Sequence, residues 1–119
     1  MATYTKNYLS ASSYGKAIVI TTTGTSTATT VHTATAVGGA MDEVWLYATN
    51  PTASAATLTT LWGGTVLGQH DCEAIISSQA GRSLIMDGRL AGSGIIVSCY
   101  TSASTGTILI DGFVNTITT

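Results

Sequence analysis

Residues 42–64 read DEVWLYATNPTASAATLTTLWGG, and the reading of that stretch decides the fold. Successive side chains of an extended chain point to opposite faces, so Val44, Leu46 and Ala48 share one face and Trp45 and Tyr47 the other. A strand with one solvated face alternates apolar and polar residues. This one is apolar on both. Asn50-Pro51 opens a turn, and the connector NPTASA is too short for a crossover helix. The two extended runs on either side of it are therefore expected to pair as a hairpin.

Working outward, further extended runs follow at short intervals. KAIVITTT (16–23) and ATTVHTATA (28–36) flank a polar turn around Gly24, and VGGAM turns the chain into the quoted stretch. GGTVLG is a short extended piece between glycines. DCEAIIS and RSLIMDG surround the turn SQAG, and SGIIVSCY and TILIDGFVNTI surround TSASTG. No segment sustains the i, i+3, i+4, i+7 apolar spacing of a helix longer than a turn. About eight antiparallel strands at this spacing predict an all-β sandwich of jelly-roll type over residues 15–119.

Residues 1–14 are polar and read as an irregular N-terminal arm. Tyr4, Tyr8 and Tyr14 stand along it at a spacing that fits neither helix nor strict alternation. The segment is either a frayed terminus or an extension whose tyrosines anchor on a neighbouring subunit.

The late strands repeat the two-faced pattern. Ile95, Val97 and Cys99 share one face, with Ile96, Ser98 and Tyr100 opposite. Ile108 and Ile110 share another, against Leu109, Asp111, Phe113 and Asn115. The Asp111-Gly112 step is expected to be a bulge. Apolar outer faces imply that another chain covers part of the outside.

Composition narrows the partners. Only 8% of the 119 residues are charged and the net charge is −2, so Ser and Thr hydroxyls supply most of the polar surface. Lys6, Lys16, Arg82 and Arg89 are scattered, whereas nucleic-acid binding needs clustered cations. No run approaches the ~18 apolar residues that span a bilayer. The N-terminus lacks the pattern of a secretory signal, which predicts a chain made in the cytosol. Cys72 and Cys99 read as two buried free thiols or as a single disulfide.

The chain offers little catalytic chemistry. His70, Asp71, Cys72 and Glu73 are consecutive, and a strand would send them alternately to opposite faces, short of the convergent ligands that zinc requires. His32 reads as a partly exposed strand residue among threonines. Asp42, Glu43, Asp71, Glu73, Asp87 and Asp111 mostly sit beside turns, where a solvated acid is ordinary. No nucleophile elbow or phosphate loop is present. The expectation is a non-enzymatic protein with no metal and no cofactor. Trp45 or Trp62 could stack on a sugar ring, although a tryptophan in such a strand serves core or interface more often.

One pattern has a counterpart. Thr33-Ala34-Thr35-Ala36 leads through a glycine turn into Val44-Trp45-Leu46-Tyr47-Ala48-Thr49-Asn50, then a Ser/Thr/Ala loop and the run Thr57–Gly64; ILIDGFVNTIT closes the chain. This resembles the small all-β head decoration, or cement, proteins of tailed bacteriophages, over residues 31–64 and 106–118, about 40% of the chain. Thr35 stands where the pattern often has proline. The resemblance implies a structural protein on the outside of a virion head. It implies the major capsid protein as partner, a homo-oligomer with a trimer favoured, and no membrane or nucleic-acid partner. Tyr4, Tyr8, Tyr14, Trp45, Tyr47 and Trp62 are the candidate interface residues. The alternative is a tail or fibre module that binds a host glycan.

Overall fold

The computed structural model describes residues 2–23, 28–63, 70–79, 81–102 and 108–118. The turn expected around Gly24, most of the extended piece GGTVLG (63–68) and most of the turn TSASTG (101–106) lie outside the described residues. Nine strands follow one another: β1 (Thr3–Tyr8), β2 (Ile18–Ile20), β3 (Thr29–Thr33), β4 (Ala40–Thr49), β5 (Ala56–Trp62), β6 (His70–Ile76), β7 (Arg82–Ala91), β8 (Ile96–Thr101) and β9 (Ile108–Thr118). Eight occupy the runs predicted from the sequence. The ninth is β1, within the arm expected to be irregular. Among the described residues there is no helix, and none long and apolar enough to cross a membrane.

The strands form two antiparallel sheets. The larger has the order β1-β9-β4-β7, with β2 also on β9; the smaller is β3-β8-β5-β6. β1 pairs with Phe113–Thr118 of β9 and β2 with Ile108–Ile110, so the two share one edge of the same long strand. From β2 onward only β5 and β6 are consecutive neighbours within a sheet; every other step changes sheet.

The hairpin expected between β4 and β5 is therefore replaced by a corner. Asn50 turns the chain. Its side chain is fully buried, donates to the carbonyls of Ser54 (2.8 Å) and Ile76 (3.0 Å), and accepts from the Thr52 N–H and hydroxyl. A short connector that spares a helix can step between stacked sheets about 10 Å apart as readily as it can fold back within one. Sequence spacing does not separate the two outcomes.

The core lies between the sheets. Val44, Leu46 and Ala48 of β4 and Ile108, Ile110 and Val114 of β9 face Val31, Leu58, Val97 and Cys99 of the smaller sheet. β4 and β9 stay in register from Ala40↔Thr118 to Thr49↔Leu109 without interruption. The bulge expected at Asp111-Gly112 is absent. Gly112 instead lets the strands meet closely, since a Cβ there would overlap the Trp45 carbonyl oxygen and lie 3.2 Å from the Leu46 Cα. The irregularities of the larger sheet fall in β7, opposite Val44/Trp45 and Leu46/Tyr47, the first accommodated by Gly88 at φ +89.

These faces predict unequal costs for adjacent truncations. Leu46→Ala should lower the free energy of unfolding by about 2–5 kcal/mol, and Tyr47→Ala by clearly less. Urea unfolding measures both, and equal losses would contradict the assignment of faces.

Candidate functional site

The alternation that buries even-numbered residues of β4 presents its odd-numbered ones on the outside of the larger sheet. Register aligns Tyr8, Phe113, Trp45 and Asp87 in one row and Asp111, Tyr47 and Leu84 in the next. Lys6, Asn115, Glu43 and Leu90 form a third, and Tyr4, Ile117 and Met41 a fourth. Tyr4 is 69% exposed and Tyr8 58%; Val19, Leu84 and Leu90 are about half exposed. The result is a broad face on which aromatic and aliphatic groups predominate.

Local contacts fix its centre. The Trp45 and Phe113 rings lie nearly parallel, 11° apart with centroids at 5.9 Å. A Cβ on Gly88 would come within 3.0 Å of the Trp45 indole, so this glycine leaves the ring its place over the β7 bulge. Trp45 Nε1 donates to Glu43 Oε1 at 2.8 Å, and Asn115 Nδ2 donates to the same oxygen at 3.1 Å. Those two donors hold the Glu43 carboxyl below its ordinary pKa, the tryptophan contributing most. Cations cap the rings: Lys6 Nζ sits 4.2 Å from the Phe113 centroid, and the Arg82 guanidinium 3.8 Å from that of Tyr47. Arg82 Nε also donates to both Asp111 oxygens, at 2.9 and 3.1 Å.

The six aromatic residues singled out from the sequence do not all assemble here. Tyr4, Tyr8, Trp45 and Tyr47 share the face. Tyr14 meets Tyr8 edge-on at 6.4 Å. Trp62 belongs to the smaller sheet, where it packs against the core with the Arg89 guanidinium 4.7 Å above its ring. Sequence reasoning passed over Lys6, Arg82 and Phe113. It did place Phe113 and Asp111 on one side of their strand, but pairing with β4 and reach across β7 were needed to bring them beside Trp45 and Tyr47.

A second polar cluster lies inside, at one end of the sandwich. His32, expected to be partly exposed among threonines, is 4% exposed and gives Nε2 to Asp42 Oδ2 at 2.7 Å. Its Nδ1 accepts from the Ser10 backbone N–H at 3.0 Å, which leaves Nε2 as the donor to the carboxylate. Asp42, expected to be a solvated acid at a strand end, is 3% exposed and accepts in addition from the Thr35 N–H and the Thr116 hydroxyl. Asn7 donates to Thr116, Thr33 N–H donates to the Ser10 hydroxyl, and Leu9 is buried in the core. Backbone pairing, a core plug and this network thus fasten the arm to its own chain.

Both cysteines are free thiols. Burial pushes the Cys99 thiol up to about 12, with the Thr60 hydroxyl 3.6 Å away acting in the opposite sense. The side chains of His70 and Asp71 lie outside the described residues. Among the described residues no group of three or more His, Cys, Asp or Glu side chains gathers as a metal site.

Comparison with known protein families, with curated proteins and with solved structures finds no match for this chain.

Two measurements check the interior. Asp42→Ala should cost about 3–5 kcal/mol, because it strands the buried His32 donor and removes the acceptor of the half-buried Thr35 amide. The His32→Ala, Asp42→Ala double variant should fall short of additivity by about 1–3 kcal/mol in urea unfolding. Burial holds the Cys99 thiol up at about 12 in the folded chain, above the ordinary thiol value of 9.0. Its stabilising contribution is therefore complete below pH 9 and lost as pH rises toward 12. Cys99→Ala should remove that part of the alkaline decline in unfolding midpoint.

Proposed function

We propose that this chain is a structural β-sandwich protein that docks on a larger protein assembly. In its most specific form the reading is a decoration protein on the outer surface of a tailed-phage capsid. The observation that carries it is the outer face of the larger sheet. An antiparallel sheet exposed on one side ordinarily turns polar residues outward. Here Met41, Trp45, Tyr47, Leu84, Leu90, Phe113 and Ile117 occupy that side across β9, β4 and the edge strand β7. A contiguous apolar face of this kind marks a surface that meets another macromolecule.

The strand order supports the finer description of the fold. β2-β9-β4-β7 stacked on β3-β8-β5-β6 is the arrangement expected of a jelly roll, with β1 added at the edge. Such sandwiches are common in capsid proteins. The resemblance in residues 31–64 and 106–118 points the same way. Mechanically, each copy would lay this face across adjacent shell subunits and be held by short-range apolar contact, since only 8% of the residues are charged. Every ~1.4 kcal/mol gained makes separation of one contact tenfold less favourable. Many copies, as trimers at the shell's three-fold positions, would add up to resistance against internal pressure.

In purified particles, quantitative mass spectrometry should find this chain at a fixed ratio to the major shell protein. A few copies per particle would overturn the capsid reading. Trp45→Ala, which removes the centre of the face without touching the core, should release the protein from shells in a co-sedimentation assay.

A further inference from the structure

We infer that a ligand site for a carboxylated sugar lies at the margin of this face. It shares Phe113, Lys6 and Arg82 with that face and is tested on the free chain, apart from any docking on a shell. β1 accompanies β9 as far as Phe113 and β2 begins opposite Ile110, so Asp111 and Gly112 have no strand partner on that side. The interruption leaves a cleft of about 540 Å³ whose lining includes Lys6, Tyr8, Arg82, Asp111 and Phe113. That volume lies within the range of small-molecule sites.

The chemistry of the lining selects the ligand. The Lys6 ammonium lies over Phe113, and among the described residues no carboxylate pairs with it. Arg82 commits Nε to Asp111 and leaves its Nη donors without a hydrogen bond among the described residues. Two cationic donors thus converge on one cleft and suit a carboxylate, through charge-assisted hydrogen bonds. Asp111 is only partly covered and retains acceptor capacity for hydroxyl groups. Tyr8 adds an exposed ring for the apolar face of a pyranose and a phenol for its hydroxyls. A bare oxyanion would use the two cations but leave the Tyr8 ring and the acceptor oxygens of Asp111 unused. A neutral sugar would leave the two cations unused. A sugar acid uses all four groups.

The test is a titration of the full chain, followed by NMR, with methyl glucuronide and with N-acetylneuraminic acid. Methyl glucoside, inorganic phosphate and a tetraglutamate peptide serve as comparisons. At least one sugar acid should bind, shift the Tyr8 and Phe113 resonances, and exceed methyl glucoside roughly tenfold in affinity. Lys6→Gln should weaken that binding by roughly tenfold, with unchanged circular dichroism, since Lys6 is exposed on an edge strand. Tyr8→Ala should weaken it too. Several results would overturn the assignment: no response to either acid, affinity unchanged in Lys6→Gln, or phosphate or tetraglutamate binding as tightly as the sugar acid. None of these outcomes alters the copy number expected of a decoration protein.

Discussion

The antiparallel ladder between β4 and β9 is the constraint on which the other features depend. Its ten paired positions set the inner face of both strands and, by alternation, the outer face as well. A slip of one residue would turn Val44, Leu46 and Ala48 outward and bring Trp45 and Tyr47 into a space filled by smaller side chains. Each strand then recruits its other neighbours: β9 takes β1 and β2, and β4 takes β7. Gly112 permits the close approach in mid-ladder, next to the pair Trp45 and Phe113 that organises the outside. Core and candidate surface are consequently two sides of one register.

Polar anchors define the ends of that register. The buried even-numbered positions of β4 and the turn after it run Asp42, Val44, Leu46, Ala48, Asn50, a polar residue at each end of an apolar run. Burying a carboxylate and an amide costs free energy unless their hydrogen-bonding capacity is met. Both are met, Asp42 by His32, Thr35 and Thr116, and Asn50 by Thr52, Ser54 and Ile76. Such groups disfavour shifted pairings more than they add net stability, because any shift would leave them unpaired in the core. At the Asp42 end the network also reaches the N-terminal arm through Ser10 and Asn7. The same contacts that close the sandwich therefore hold β1, whose Lys6 and Tyr8 reach the margin of the outer face.

Much of the architecture was legible in local pattern. The β-branched and Thr-rich runs located eight strands, and alternation in β8 and β9 separated Val97 and Cys99, and Ile108 and Ile110, from their neighbours. What escaped were pairings between distant segments. NPTASA carried the signal of a turn but not of which sheet receives the next strand. TYTKNY lacked an apolar face and looked irregular, yet it forms a strand because β9 offers a free edge for its backbone. His32 and Asp42, ten residues apart, gave no sign of each other, since they meet only when the two sheets stack.

The sequence by itself determined that this is an all-β chain, that Val44, Leu46 and Ala48 oppose Trp45 and Tyr47, and that the chain is nearly devoid of charge. Those properties follow from residue type and from the two-residue period of a strand, which act locally. Tertiary structure alone decided which side of β4 became core, because Ile110, Val114, Val97 and Leu58 complement small and aliphatic side chains and leave no room for an indole. It alone set Phe113, Lys6 and Arg82 around Trp45 and Tyr47, since cross-strand register joins residues that the chain keeps far apart.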